Sequence, residues 1–230
     1  MSLFTKSPYP VLEPMPDIPW ADGAVFNPAA WYDGKTVHLL FRAVPAGYRR
    51  IRLEHAVDGE PNEGFSNYTS YIGYASSADG LHFTVRAEPF IAPDSLFDRF
   101  GAEDPRVSRL DGRYFVTYSA LQSDAFSPDA IVRVALASTV DFERVEKHGV
   151  VGPPERDKDA VIFPATFGGR VAMLHRIVPD IQLIYFDDVD QLCRPPAGIW
   201  DDHMANLERH VIMRPEQEWE EKKIGAGPTP

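Results

Sequence analysis

Short runs of apolar and polar residues alternate along most of the chain, and glycine-containing turns separate the runs. Residues 107–118 show the pattern clearly, with Asp111-Gly112 as a turn dipeptide between two such runs. Alternation with a period of two predicts β-strands, and an Asp-Gly dipeptide between two strands predicts a tight hairpin. The pattern therefore predicts an all-β fold.

One arrangement, of proline, strand, glycine turn and second strand, recurs along the chain, and another strand pair follows each copy. The three copies and their following strand pairs occupy residues 27–43 and 71–83, then 104–120 and 132–142, then, more loosely, 163–176 and 181–189. Four short antiparallel strands that recur every several tens of residues are typical of propeller blades. A β-sandwich also contains many short strands, but it does not predict one sequence pattern at the same strand of each unit. We therefore favour a β-propeller.

Three segments depart from this repeat. Residues 200–210 have apolar positions at roughly helical spacing and an acidic first turn, which predicts a short helix. Residues 45–68 and 122–130 are polar, mixed insertions that interrupt the hairpins. Insertions of this kind usually lie at one rim of a domain, where binding sites collect.

Composition and charge narrow the class of protein. The chain has 230 residues, 44% of them hydrophobic, and a net charge of -11 without a basic stripe, which argues against a nucleic-acid partner. Its single cysteine, Cys193, excludes an intramolecular disulfide and fits a reducing compartment. The first 20 residues contain no basic stretch followed by an apolar run, so we expect neither a signal peptide nor a membrane partner. We expect a cytoplasmic protein.

The segment Gly101-Ala102-Glu103-Asp104-Pro105-Arg106 carries the clearest chemistry, because it places two acids and an arginine at the start of a predicted hairpin. A carboxylate next to a rigid proline is held in place, as a general acid must be. On this segment alone, the favoured interpretation is that Glu103 and Asp104 are ordinary loop acids, because short motifs are weak signals. The sequence shows no His/Asp/Glu set with metal-ligand spacing and no nucleotide-binding glycine loop.

Seven motifs in order resemble glycoside hydrolase family 130, which contains mannoside phosphorylases and related mannosidases. They lie at residues 26–30, 39–43, 101–106, 134–142, 158–164, 174–176 and 223–228. The resemblance covers nearly the whole chain from Phe26 onward. It implies a five-bladed β-propeller with a central active site, and so a single, partial β-propeller domain of the glycosidase type over residues 1–230.

The resemblance also implies a reaction and a set of sugar-binding residues. A β-mannooligosaccharide and inorganic phosphate would give α-mannose 1-phosphate and a shortened sugar, with inversion. Asp104 is implied as the proton donor, acting through a hydroxyl of the mannosyl ring. Asn27 and Arg42 fall on sugar-holding positions, and Glu103 is expected to orient Asp104 or the sugar. Arg42 lies in an apolar strand, where burial without a partner would be costly.

For phosphate, Lys158, His175 and Arg176 match the family's anion-binding stretch, and Arg133 is a weaker candidate. Arg133 alternates with apolar residues and could instead face solvent, and a histidine on an apolar strand such as His175 is often a satisfied core group. Phosphate is the expected co-substrate, and neither a metal nor an organic cofactor is expected.

The chain departs from the family where the sequence stops, at Pro230. About three blades are expected here, against the five that the resemblance implies, so the chain is interpreted as a fragment of a longer protein or a shortened relative. An open propeller edge invites aggregation or pairing with another chain, and a homo-oligomer is one expected state. Two alternatives stay open: a β-mannoside hydrolase in which a second carboxylate activates water, and a non-catalytic carbohydrate-binding remnant.

Overall fold

The computed structural model describes residues 7–54, 62–127 and 129–230. Within these ranges the chain forms fourteen β-strands and two short α-helices. The strands are β1 (Ala24–Tyr32), β2 (Val37–Val44), β3 (Arg49–Arg52), β4 (Glu63–Ser66), β5 (Tyr71–Ser77), β6 (Thr84–Val85), β7 (Gly101–Leu110), β8 (Arg113–Leu121), β9 (Val132–Thr139), β10 (Glu146–Val150), β11 (Lys158–Phe167), β12 (Arg170–Arg176), β13 (Ile181–Phe186) and β14 (Val211–Met213), and the helices are α1 (Val189–Cys193) and α2 (Ile199–Ala205). The predicted all-β class is confirmed.

Most strands belong to antiparallel sheets of four. The described residues form three such sheets, with strand orders β1-β2-β5-β6, β7-β8-β9-β10 and β11-β12-β13-β14, and a separate β3-β4 hairpin. The predicted first hairpins of the three repeats correspond to β1-β2, β7-β8 and β11-β12. The number of blades in a complete propeller stays a prediction, as does the single domain over residues 1–230.

The first strands of the three sheets lie side by side, with β7 in contact with both β1 and β11. One buried apolar cluster includes residues of the first and second sheets, such as Ile72, Val116 and Phe142. A second cluster joins the second and third sheets and includes Phe115 and Ile162. Burial of each such side chain contributes about 1.5–3 kcal/mol. The middle sheet is thus buried on both faces, which explains why β8 is buried at every position after its first residue.

The predicted helix at residues 200–210 is confirmed over its first half. Helix α2 ends at Ala205, and a 3₁₀ turn follows at Leu207–His210. Trp200 packs in the second cluster and donates its indole N–H to the Val151 carbonyl oxygen at 2.9 Å. The helix therefore covers the core between the second and third sheets.

The two predicted insertions contact each other. Residues 45–68 contain the β3-β4 hairpin, although residues 55–61 lie outside the described part, as does residue 128 of the second insertion. The ring of Phe126 lies 5.8 Å from that of Phe65 and 5.7 Å from that of Tyr68. Tyr68 also accepts a hydrogen bond from Arg42, which places the first insertion next to the central residues described below.

Candidate active site

An irregularity in the first strand of each sheet builds the centre of the molecule. Asn27, Asp104 and Asp159 each lie at a break in register with the neighbouring strand, and their φ angles are 46°, 52° and 55°. A positive φ is uncommon outside glycine, but Asn and Asp tolerate it better than most residues. The three side chains line one cavity of about 330 Å³, together with Arg106 and residues 227–229.

Asp104 lies at the middle of this arrangement. Its Oδ1 accepts hydrogen bonds from Asn27 Nδ2 at 2.8 Å and from Arg42 Nη1 at 3.1 Å, and the side chain is 13% exposed. Burial raises the pKa of the Asp104 carboxyl, but the charge of Arg42 and the hydrogen bond from Asn27 outweigh burial and leave the pKa below its ordinary value. Asp104 is therefore ionised at neutral pH in the free protein.

Arg42 is buried and fully partnered, as its position in an apolar strand requires. Besides Asp104, its guanidinium group pairs with Glu103 and donates to Ser70 Oγ at 3.0 Å and to Tyr68 Oη at 3.0 Å. Burial lowers the pKa of Arg42, but the charges of Glu103 and Asp104 more than compensate and raise it. The guanidinium group is thus a fixed cation beside Asp104.

Glu103 connects this group to the third sheet. Its side chain is 2% exposed, and Oε1 faces Arg42 while Oε2 lies 3.4 Å from Lys158 Nζ. Ser70 Oγ also donates to Oε1 at 3.1 Å. With both oxygens engaged, Glu103 holds two cations at the centre.

The predicted phosphate-binding residues separate into two groups. Lys158 and Arg176 pair across β11 and β12 and lie at the central site, where Arg176 Nη1 pairs with Asp159. Arg133 is half-buried on β9, and burial lowers its pKa although Glu155 and Asp157 oppose this shift. Within the described ranges, no hydrogen bond or ion pair joins Arg133 to the central group. The geometry therefore supports Arg133 as a phosphate ligand less than it supports Lys158 and Arg176.

His175 does not reach the cavity. It is 0% exposed, with Nδ1 at 3.0 Å from Asp157 Oδ2 and Nε2 at 2.9 Å from His203 Nε2. Consecutive residues of a strand face opposite sides, so His175 points away from the face that Arg176 presents. Burial lowers the pKa of His203 to about 3. The predicted direct contact between His175 and phosphate finds no support in this geometry.

Two central residues were missed by sequence reasoning: Arg106 and Asp159. The third sequence repeat was aligned on Phe163-Pro164, whereas the register break that matches Asn27 and Asp104 falls at Asp159. Proline follows Asn27 and Asp104, but alanine follows Asp159, so proline does not mark the third position. The Lys158-Asp159 pair was itself a usable signal, because a charged residue precedes the aspartate both there and in Glu103-Asp104.

Two negative observations apply only to the residues that the structure describes. No group of three or more His, Cys, Asp or Glu side chains is arranged to hold a metal ion there. None of the helices in that part of the chain has both the length and the apolar composition needed to cross a membrane.

The fold and the site together define a class of protein. Antiparallel sheets surround a cavity lined by carboxylate, amide and guanidinium groups, a combination suited to hydroxyl-rich ligands. The family model described as beta-1,4-mannooligosaccharide phosphorylase matches residues 12–230. The chain belongs to glycoside hydrolase family 130.

Named relatives refine this picture. A 1,2-beta-oligomannan phosphorylase of Thermoanaerobacter sp. (strain X514) is 33% identical over 96% of this chain and 64% of its own length. The solved Listeria innocua beta-1,2-mannobiose phosphorylase, in complex with beta-1,2-mannobiose, is 28% identical, with a TM-score of 0.56 over 74% of this chain and 59% of that one. This chain therefore spans less than two-thirds of each relative.

A further solved structure comes from work on family members that are glycoside hydrolases targeting beta-1,2 mannosidic linkages in Candida mannan. It is 25% identical, with a TM-score of 0.60 over 78% of this chain and 54% of that chain. The fold is thus similar to that of a family described as containing both phosphorylases and hydrolases.

Proposed function

We propose that the protein is an inverting β-mannoside phosphorylase, which converts a β-mannooligosaccharide and phosphate to α-mannose 1-phosphate and a shortened sugar. The observation that carries the proposal is the position of Asp104, a buried acid fixed by Asn27 and Arg42 in a cavity beside Lys158. One fixed acid with neighbouring cations meets the needs of phosphorolysis, because phosphate replaces the second carboxylate and its water. The names of the relatives support the same activity.

The reaction breaks the bond between the anomeric carbon and the bridging oxygen. A phosphate oxygen attacks the anomeric carbon from the opposite face and forms the new bond with inversion. The departing oxygen takes a proton that comes from Asp104 through a ring hydroxyl. The products are α-mannose 1-phosphate and a sugar with a new hydroxyl. The proton carried by the attacking monohydrogen phosphate replaces the one that Asp104 gives up, so atoms and charge balance.

The protonation of Asp104 is coupled to phosphate in this proposal. In the free protein the cations hold the Asp104 pKa below its ordinary value, and Lys158 is one of them. A phosphate dianion bound to Lys158 and Arg176 offsets that positive charge, which favours the protonated acid. Phosphate thereby supplies the nucleophile and also helps to prepare the proton donor.

The other predicted residues take different parts. Asn27 and Arg42 hold the sugar and Asp104 in register, and Glu103 keeps Arg42 and Lys158 close together. We propose Lys158 and Arg176 as direct phosphate ligands and Arg133 as an outlying one. The proposed reaction needs neither metal nor organic cofactor, because phosphate is the nucleophile and the departing oxygen is protonated.

The first substrate to test is β-1,2-mannobiose, since the Thermoanaerobacter and Listeria relatives are named for β-1,2 linkages while the family model is named for β-1,4. The purified chain is incubated with β-1,2- or β-1,4-mannobiose, with and without phosphate, and mannose and mannose 1-phosphate are quantified separately. We expect mannose 1-phosphate, formed only with phosphate. Absence of turnover with either disaccharide would contradict catalysis by this chain and favour a carbohydrate-binding role.

A hydrolase on the same scaffold is the second candidate, and Asp159 is the observation that favours it, because it is another carboxylate in the cavity. Against this role, Asp159 pairs with Arg176, and a water-activating base needs a free lone pair directed at that water. Free mannose released at the same rate with and without phosphate would favour the hydrolase.

A further inference from the structure

We propose that Asp159 is a sugar-positioning residue, whose carboxylate accepts a hydrogen bond from a hydroxyl of the mannosyl unit bound beside Asp104. The inference rests on the proposed mannoside function and gives a role to a residue that lies within the motif at residues 158–164 but was not among the predicted site residues. It would make the third sheet a direct participant in sugar binding.

The backbone of Asp159 repeats that of Asp104. Asp159 and Asp104 occupy the same place in their sheets, at a register break in the first strand and with φ angles of 55° and 52°. A non-glycine residue at positive φ costs about 1 kcal/mol or more, and such strain often marks functional positions. Both side chains line the central cavity.

The Asp159 carboxylate is held through one of its two oxygens. Oδ2 pairs with Arg176 Nη1. A Cβ atom added to Gly225 would lie only 3.0 Å from Oδ2, so the backbone at Gly225 packs closely against this oxygen. Oδ1 lies 3.9 Å from Arg106 Nη2, which is too far for a direct hydrogen bond. Oδ1 therefore keeps lone pairs for a donor in the cavity.

The neighbouring Arg106 is held in place by backbone carbonyl groups. Arg106 Nε donates to the Gly227 carbonyl oxygen at 2.6 Å, and Arg106 Nη1 donates to the Pro105 carbonyl oxygen at 3.0 Å. Arg106 is thus fixed, and Asp159 cannot turn away without breaking its ion pair with the buried Arg176. A preorganised acceptor of this kind suits a sugar hydroxyl, which can donate a hydrogen bond to an ionised carboxylate.

The cavity therefore offers a sugar two carboxylates and one amide from equivalent positions of three sheets. An ionised carboxylate only accepts, whereas the Asn27 amide both donates and accepts. A mannosyl ring, with several hydroxyl groups in fixed directions, fits such a mixed set. The same cations could attract phosphate instead, and the test separates these two explanations.

The experiment measures binding of β-1,2-mannobiose by calorimetry without phosphate, so that it does not depend on turnover. Asp159→Asn keeps the shape but removes the charge, and Asp159→Glu keeps the charge but moves the oxygens. The matched control is Asp94→Asn, which removes a carboxylate from an ion pair with Lys147 away from the cavity. Thermal unfolding checks that each variant is folded.

We expect Asp159→Asn to bind the disaccharide about 10-fold more weakly, since the neutral amide oxygen accepts a weaker hydrogen bond than the carboxylate, while Asp94→Asn binds like the wild type. Deoxy analogues of the mannosyl unit then identify the hydroxyl. Removing that hydroxyl should weaken binding to the wild type more than binding to Asp159→Asn, a non-additivity that a purely structural role does not produce. If Asp159→Asn does not fold, the same cycle is performed with Asp159→Glu.

The remaining outcomes are distinct. A separate calorimetric titration with inorganic phosphate tests the other explanation. Unchanged disaccharide binding in Asp159→Asn, with or without tighter phosphate binding, would overturn the role of Asp159 and leave the proposed function intact. Disaccharide binding that depends on Asp159, without phosphorolysis, would support the positioning role and contradict the phosphorylase. No disaccharide binding by the wild type would overturn both.

Discussion

The two faces of the third sheet place their charged and titratable side chains in opposite environments. On one face Arg176 and Lys158 pair with carboxylates beside an open cavity, and on the other His175 lies between Asp157 and His203 in the closed interior. Arg176 and His175 are neighbours in sequence, yet only the first is placed to meet a ligand. The comparison shows that a motif match locates a segment, while the alternation of the strand decides which of its residues can do chemistry.

The two groups nevertheless depend on each other. Asp157 Oδ1 accepts a hydrogen bond from the backbone N–H of Arg176 at 2.9 Å, while Oδ2 faces His175. The buried group thus fixes the end of β12 from which Arg176 projects. We expect substitutions at the open group to change catalysis with little effect on stability, and substitutions at the closed group to do the reverse.

The largest expected effect is at Asp104. Asp104→Asn keeps the shape but cannot donate an acidic proton, so the rate of phosphorolysis should fall about 10³-fold or more. Stability should fall by only about 1 kcal/mol, because Arg42 still pairs with Glu103. Asp111→Asn is the matched control, as it makes the same change at the exposed turn of the same hairpin, also at positive φ (49°). Equal rates for these two variants would remove Asp104 from the mechanism.

The next effect is on stability, at His175. His175→Ala leaves the buried Asp157 carboxylate without its imidazole partner, and we expect a loss of about 3 kcal/mol in the free energy of unfolding. Chemical denaturation measures this loss. His175→Gln retains hydrogen-bonding capacity and serves for kinetics, where the KM for phosphate should stay near the wild-type value. A large rise in that KM with unchanged stability would restore His175 as a direct phosphate ligand.

At Lys158 the balance should reverse. Lys158→Gln removes a cation from the open group, and we expect the KM for phosphate to rise about 10-fold or more, with a smaller change in affinity for the mannoside. Lys35→Gln, at the exposed β1-β2 turn, controls for the loss of one positive charge from the molecule. Initial rates at varied phosphate concentration give both constants. An equal rise for the two variants would indicate general electrostatics rather than a phosphate site.

Much of this comparison could be anticipated from the sequence, and the reasons are local. Strand alternation and glycine turns predicted the hairpins, and the acidic motif beside Pro105 located Glu103 and Asp104, which the structure places with Asn27 and Arg42. These signals work because each depends on a few neighbouring residues.

The rest depends on contacts between distant segments. Asp159 was missed because alanine rather than proline follows it and because its register break exists only in the pairing with β12, and Arg106 because its position depends on Gly227. The buried setting of His175 requires α2, which brings His203 to it from 28 residues further along the chain. No local pattern encodes such pairings, whereas the strand that carries them could be predicted.

The smallest effect separates the two faces by pH. Burial lowers the pKa of His203 to about 3, well below its value in an unfolded chain. Above about pH 6.5 the residue is neutral in both states and contributes no pH dependence; as the pH falls below that, only the unfolded state gains the proton, so stability falls. This group can add a slope of up to about 1.4 kcal/mol per pH unit between about pH 6 and 4.

Denaturation of the wild type and of His203→Gln at pH 7 and 5 measures the contribution of His203 to this loss of stability, and His82→Gln, at an exposed histidine, is the control. The loss of stability on acidification should shrink in His203→Gln and stay unchanged in His82→Gln; equal losses in all three would mean that the closed face does not govern the acid response.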